Sequence, residues 1–161
     1  MITFRNATLN DLDVITKIEN ICFPPKEAAS KESFTKRIQI YPEHFWLLEA
    51  EGKLIGFVNG MVTNQNTISD ELFSEALLHN KNGKWQSVFG IAVAPEYRNQ
   101  GYAGQLMNHL IMQAKKERRD GVILTCKSHL IQYYKRFGFA DLGVSQSVHG
   151  GEVWHDMTLT F

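Results

Sequence analysis

WQSVFGIAVA (85–94) constrains this chain more than any other stretch, because a turn and a helical pattern come directly behind it. An apolar run of strand length passes through the turn PEYRNQG (95–101) into a segment whose apolar residues Ala103, Leu106, Met107, Leu110, Ile111 and Ala114 recur in steps of three and four. That is a strand feeding directly into an amphipathic helix. The helix closes in KKERRD (115–120), a cationic run at the negative end of its dipole. A mixed α/β domain built around one sheet is the expectation.

The same turn has chemical potential. The first amides of a helix lack intrahelical partners and, with the dipole, attract an anion. Gly101 and Gly104 remove side chains that would block close approach, Gly101 permits positive φ, and Arg98 adds a forked cation. The arrangement suits a pyrophosphate. It lacks the GK[ST] ending of a Walker loop and is not G-x-G-x-x-G. A glycine-rich strand-to-helix turn without a ligand is the competing reading.

The rest of the chain reads around this unit. A strand is expected over 2–7, then a helix over 9–22 capped by Thr8 with Asp11 three residues on, its inner face Leu12, Ile15, Ile18 and Cys22. Pro24 and Pro25 end it. A second helix comes next over 30–40, with Ser30 as cap and Phe34 and Ile38 inward. HFWLLEA (44–50) and KLIGFVNGMVT (53–63) are strands about a tight Glu51-Gly52 turn. Residues 64–84 are polar, with a short helix over 69–80 capped by Ser69. GVILTC (121–126) is a buried strand and SHLIQYYKRFG (128–138) a helix between Ser128 and Gly138. Two tail strands, 139–146 and 152–160, join around HGG.

Bulk properties bound the partners. With 161 residues, one domain over 1–161 is expected, large enough for its own core. Seventeen basic residues balance seventeen acidic ones, so charge points to neither nucleic acid nor an anionic membrane. Zero net charge is compatible with a homodimer. No apolar run approaches the roughly 20 residues of a membrane span, and the N-terminus has no signal segment. Cys22 and Cys126 form no disulfide or zinc framework, so a cytoplasmic protein with reduced thiols and no metal is expected.

Arg98-Asn99-Gln100-Gly101-Tyr102-Ala103 matches [RQ]-x-x-G-x-[GA], the signature of the GNAT superfamily of N-acetyltransferases, and comes after V-A-P-E-Y as it does there. LTCKSHLIQYYKRFGFADLG resembles the family's second acetyl-CoA element, a strand before a helix ending in Y-x-R-x-G-F, and FRNATLNDLDVI is similar to the family's N-terminus. Within the superfamily, ICFPPKEAAS, the long loop before 85 and the tail His149-Gly150-Gly151-Glu152-Val153-Trp154-His155-Asp156-Met157 resemble the microbial branch of the arylalkylamine (serotonin-type) N-acetyltransferases.

The resemblance implies a GNAT-like fold, a mostly antiparallel sheet of about seven strands, splayed between its fourth (85–94) and fifth (121–126) and flanked by helices. It implies that the pantetheine arm of acetyl-CoA lies along Phe89, Ile91, Ala92 and Val93, pairing with the backbone of Phe89, Ile91 and Val93. The pyrophosphate would take amides of Arg98, Asn99, Gln100, Gly101, Tyr102, Ala103 and Gly104. Ser128, Tyr134 and Arg136 would complete the cofactor site. It also implies direct transfer to an amine, a small arylalkylamine or polyamine, or else a protein N-terminus or lysine. A CoA-binding regulatory protein without turnover is the reading from another class.

Tyr134 falls at the family's acid position, and a phenol of pKa about 10 keeps its proton until a thiolate forms. Tyr133, about 100° round the helix, faces elsewhere. The Ile91 amide would stabilise the oxyanion. Three groups are candidates for the base. Animal arylalkylamine enzymes carry H-x-H where this chain has Ser87 and Phe89, so that relay is not carried over. Ser87 holding a water, Glu27 and His149 are the candidates. His44, His79, His109 and His129 have weaker claims, His109 being expected on the solvated side of its helix. Phe23, Pro24 and Pro25, with Trp85 and Phe89, would wall an acceptor pocket. Cys126 reads as packing.

Overall fold

The computed structural model describes residues 1–161. Strand β1 (Ile2–Asn6) delivers the chain to Thr8, whose amide (2.8 Å) and hydroxyl (3.1 Å) both donate to the Asp11 carboxylate. That local closure makes a 3-10 turn (Leu9–Asp11), which continues into helix α1 (Leu12–Cys22). Arg5 grips the same carboxylate at 2.7 and 2.9 Å and reaches Glu49 at 2.9 Å. Its guanidinium holds the Asp11 carboxyl below the usual range. Ser30 caps helix α2 (Lys31–Ile40), accepting the Ser33 amide at 3.1 Å.

Strands β2 (Phe45–Ala50) and β3 (Lys53–Asn59) form a hairpin whose turn residues, Glu51 and Gly52, both have positive φ (53° and 75°). The expected strand 53–63 is broken: β4 (Val62–Thr63) belongs to a second sheet. Gly60 lies at the break, where a methyl group would strike the Ser87 carbonyl. The polar segment carries helix α3 (Asp70–Ser74) and a 3-10 turn (Ala76–Leu78), shorter than the single helix expected over 69–80.

The run 85–94 is broken as well, into β5 (Trp85–Val88) and β6 (Gly90–Val93). Asn59 faces Gly90 and Val62 faces Gln86, so three steps on one strand span four on the other. The Asn59 carbonyl accepts the Phe89 amide at 2.7 Å. This is a β-bulge, and it bends the strand. Below it β5 pairs in parallel with β7 (Gly121–Cys126), from Trp85 opposite Gly121 to Val88 opposite Leu124; above it β6 turns to β3. Helix α4 (Tyr102–Lys116) comes after β6. After β7 the expected helix 128–138 is a 3-10 turn (Ser128–Leu130) and a short α5 (Ile131–Lys135). Strands β8 (Ala140–Val144) and β9 (His155–Thr160) complete the chain. One sheet has the order β1-β2-β3-β6 and the other β4-β5-β7-β9-β8, so the splay leaves one edge of β6 unpaired.

Both faces of the first sheet are covered. Leu106, Met107 and Leu110 of α4 bury against Leu48, Ile55 and Val58. Ile15 and Ile18 of α1 and Phe34 and Ile38 of α2 bury against Phe45, Leu47 and Phe57. Phe34 is fully buried, its ring centroid 5.8 Å from those of both Phe45 and Phe57. Double cover is why β2 and β3 read as near-continuous apolar runs. His109 is not solvated as expected. It stacks on Phe4 (4.2 Å between centroids) and against Trp46 (4.3 Å), and burial holds its pKa below the ordinary value. No helix is long and apolar enough to cross a membrane.

Candidate active site

Where β6 parts from β7 a cavity of about 520 Å³ opens. It runs from the splay, past the loop after α1, to α3 and the 149–154 segment. Its inner end is lined by Phe89, Gly90, Ile91, Leu124, Cys126 and Tyr134. The Ala94 amide bonds the Ile55 carbonyl (2.8 Å), and alternation along the ladder turns the backbone of Ile91 and Val93 to the open edge. Such an edge is a ready partner for an amide-bearing ligand. The Val93 carbonyl there accepts the Cys22 thiol at 3.4 Å, and Arg98 donates to that sulfur at 3.3 Å. Ala92 does not share the edge: its pairing is with Phe57 and its side chain lies in the α1–α2 core, contrary to its expected place beside the cofactor.

Beyond β6 a 3-10 turn (Pro95–Tyr97) leads to Arg98, Asn99, Gln100 and Gly101, all exposed. Asn99 (φ 62°) and Gly101 (φ 81°) are left-handed, and Gly101 is the N-cap of α4. The Gln105 amide is the first to close on the helix, at the Gly101 carbonyl (3.1 Å). The amides of Tyr102, Ala103 and Gly104 therefore form the free N-terminus of a fifteen-residue helix. Ser128 and Arg136, the other expected cofactor residues, are exposed and do not line the cavity.

Tyr134 is 9% exposed, at the inner end. Burial, before any neighbouring charge, raises its pKa well above the usual phenol value. Cys126 beside it is pushed up to about 11 by the same burial and donates to Met157 Sδ at 3.4 Å. A thiol here is a packing group, and a thiolate formed here would demand a proton.

The outer end holds the sequence candidates unevenly. Phe23, Pro24, Phe89, Glu27 and His149 line it. Pro25 does not, and Trp85 packs over Gly121, at the far end of β5. Ser87 is fully buried outside the cavity, its hydroxyl bonded to the Met61 carbonyl at 2.8 Å, so it presents nothing to a water there. Glu27 is tied to Lys127 at 2.8 Å. His149 stacks on Phe73 (centroids 5.1 Å apart, 8° between planes), and its Nε2 lies 3.0 Å from the Glu27 carbonyl. A carbonyl only accepts, so Nε2 carries hydrogen and the neutral ring keeps its lone pair on Nδ1. His44 and His79 lie elsewhere, His79 Nδ1 accepting the Val62 amide at 3.0 Å; exposed His129 reaches the cavity rim.

The acetyltransferase (GNAT) family matches residues 12–139. The chain belongs to that family. It is a GNAT-family acyltransferase domain. An N-alpha-acetyltransferase of Sulfurisphaera tokodaii is 28% identical over 145 residues, 87% of this chain and 81% of that protein. The serotonin N-acetyltransferase of Mesocricetus auratus is 28% identical over 97 residues, covering 58% of this chain. The chain spans 44% of that enzyme's length and 22% of a probable hydrolase of Bacillus subtilis that it also matches. The loading GNATL domain of CurA from Lyngbya majuscula superposes with a TM-score of 0.83 at 15% identity, covering 99% of this chain and 98% of that one. Arabidopsis thaliana Naa50, solved with the bisubstrate analogue CoA-Ac-MVNAL, gives 0.76 at 15%, covering 99% of each chain.

Sequence reasoning missed two charged residues of the GNAT cavity. Glu19 is 6% exposed; one oxygen accepts the Ala29 amide at 2.9 Å, and the other, Oε1, is buried without a partner. Burial raises its pKa. Arg37 is 5% exposed, donates to Asn59 Oδ1 (3.0 Å) and the Phe73 carbonyl (3.1 Å), and lies 4.8 Å from the Phe89 ring centroid. The sequence does carry a signal: Glu19 shares the stripe of Ile15, Ile18 and Cys22, and Arg37 that of Phe34 and Ile38. A charge on a buried stripe needs a reason.

Proposed function

We propose that this chain moves the acetyl group of acetyl-CoA directly onto a primary amine of a small, aromatic acceptor of the arylalkylamine type. The observation that carries this reading is the cavity itself. Its inner end joins an unpaired strand edge to Tyr134, and its outer end is walled by Phe23, Phe73, Phe89 and Trp154. Flat aromatic walls favour a flat apolar group. A polyamine would want several free carboxylates, whereas Glu27 is paired with Lys127 and Asp70 is bonded to the Ser147 hydroxyl and the Val148 amide, which leaves Glu19 alone to receive an ammonium.

In this reading pantetheine pairs along Ile91 and Val93, displacing the Cys22 thiol from the Val93 carbonyl, and the pyrophosphate sits on the amides after Gly101. The Ile91 amide donates to the thioester oxygen as charge builds. The amine lone pair forms the C–N bond, and the C–S bond breaks with its electrons on sulfur. Tyr134 gives that sulfur its proton; the surplus amine proton passes through water to His149 Nδ1. We place the protein in the cytoplasm, where free Cys22 and Cys126 stay reduced.

Acetylation of a protein N-terminus is the second reading, favoured by similarity to the Sulfurisphaera tokodaii enzyme over most of the chain. Release of CoA from acetyl-CoA, monitored with a thiol reagent against phenethylamine, tryptamine, spermidine and N-terminal peptides, separates the two. Turnover of the aromatic amines above the peptides is expected. Acetyl-CoA binding without turnover of any amine would overturn both.

A further inference from the structure

Glu19 and Arg37 are opposite charges that line one cavity and feel each other's field, yet they form no salt bridge. No ion pair in the chain includes either residue. Both are more than nine-tenths buried. Glu19 leaves Oε1 wholly unpartnered. Arg37 spends its two hydrogen bonds on neutral oxygens, so a full positive charge sits among Phe34, Phe89 and Asn59 without a carboxylate. Buried charges are ordinarily paired, because stripping water from an ion costs several kcal/mol that only a counter-ion or dense hydrogen bonding offsets. Two such residues, lining one cavity without a salt bridge between them, form a complementary template.

We propose that the acceptor is a zwitterion, an aromatic amine that also carries a carboxylate, with its ammonium received by Glu19 Oε1 and its carboxylate by Arg37. This rests on the acetyl-transfer reading and narrows its substrate. The placement suits the chemistry. Asn59, which orients Arg37, faces Gly90 in the β3–β6 register, one residue from Ile91 on the open edge. A carboxylate on Arg37 therefore anchors the acceptor close to where the thioester would lie. Glu19 holds the ammonium until one of its protons passes to solvent, which leaves the amine neutral with its lone pair free for attack. A simple arylalkylamine fills the aromatic walls but leaves Arg37 unpaired. A peptide N-terminus does the same, because its first carboxyl group is an amide.

The test uses the full chain with acetyl-CoA and matched acceptors: tryptophan against tryptamine and tryptophan methyl ester, and phenylalanine against phenethylamine. The free amino acids are expected to show kcat/KM at least about tenfold above the amine or ester of the same side chain, the scale of one buried charge-assisted contact. Arg37→Lys is expected to raise KM for tryptophan about tenfold while moving tryptamine little, a selective loss that general damage to the fold would not give. An amine or ester that equals or outruns its amino acid overturns the proposal and leaves acetyl transfer standing. Calorimetry on the CoA-loaded protein separates the two ideas. Tryptophan binding about tenfold tighter than tryptamine supports the site even if no acceptor is turned over; equal or weaker binding overturns it.

Discussion

Replacing Glu19 by Gln should stabilise the protein while damaging its function. Gln keeps the shape of Glu, and its amide oxygen can still accept the Ala29 amide that Glu19 now takes at 2.9 Å. What changes is Oε1, at present a buried anionic oxygen without a partner. An unsatisfied buried polar group costs roughly 1–3 kcal/mol, more when charged. A neutral amide in its place recovers about 1 kcal/mol, which corresponds to a rise in Tm of about 2–4 °C for a chain of this size. The gain must also depend on pH. Burial raises the folded-state pKa of Glu19, so the folded chain holds this proton more tightly than the unfolded one. That contribution is complete below the unfolded value of about 4.3 and is lost as pH rises through the folded value. The advantage of Gln is therefore smallest in acid and grows with pH until Glu19 is fully ionised. Thermal denaturation of both proteins from pH 4 to pH 8, compared as a difference, isolates this group from the other carboxylates. A Gln variant that melts lower at pH 8, or an advantage that shrinks as pH rises, would refute the reasoning and make Glu19 a stabilising anion.

Tyr134→Phe should lower kcat about a hundredfold with little change in acetyl-CoA binding, since it removes a proton donor and no packing; an unchanged kcat in a CoA-release assay would exclude Tyr134 from the mechanism. Gly101→Val should weaken acetyl-CoA binding by about tenfold in calorimetry. The space beside Gly101 is open, so the cause is the φ of 81°, which a β-branched residue adopts only at about 1–2 kcal/mol, and wild-type affinity would refute the cradle. His79 is held to a pKa of about 4 by burial, then by His44, so the unfolded chain takes up this proton first as pH falls from about 6.5. Urea midpoints should therefore fall between pH 7 and pH 5, less steeply in His79→Leu; identical slopes would show that His79 does not contribute.

The βα unit at 85–116 is legible in the sequence because its two periodicities change at one turn, and the turn chemistry puts Gly101 at positive φ. The features that stay hidden do so for equally physical reasons. Nothing in VFGIAV marks a bulge, because every residue there is apolar whether the strand runs straight or bends. Only pairing to both β3 and β7 makes the break at Phe89 necessary. Trp85 and Ser87, read as part of one continuous strand with Phe89, lie instead on the β5 side of the break, paired to β7 and outside the cavity. His109 reads as solvated because its stacking partners Phe4 and Trp46 come from strands about a hundred residues and sixty residues earlier. Arg37 and Glu19 are visible as charges on apolar stripes, but a stripe cannot say what the charge faces.

Phe89 joins the two ends of the site. The bulge that frees the β6 edge also brings its ring within 4.7 Å of Phe73 and 4.8 Å of the Arg37 guanidinium, measured to ring centroids. In the proposed mechanism an apolar ring at that point would keep water off the junction between thioester and acceptor and so strengthen each charge that faces it. It also closes one route for the proton. The resemblance to the arylalkylamine enzymes puts a histidine at this position in the animal proteins, where a proton can leave along the strand. Phenylalanine cannot carry it. With Ser87 sealed against Met61 and Glu27 held by Lys127, the proposed mechanism sends the amine proton outward, past Phe73, to His149.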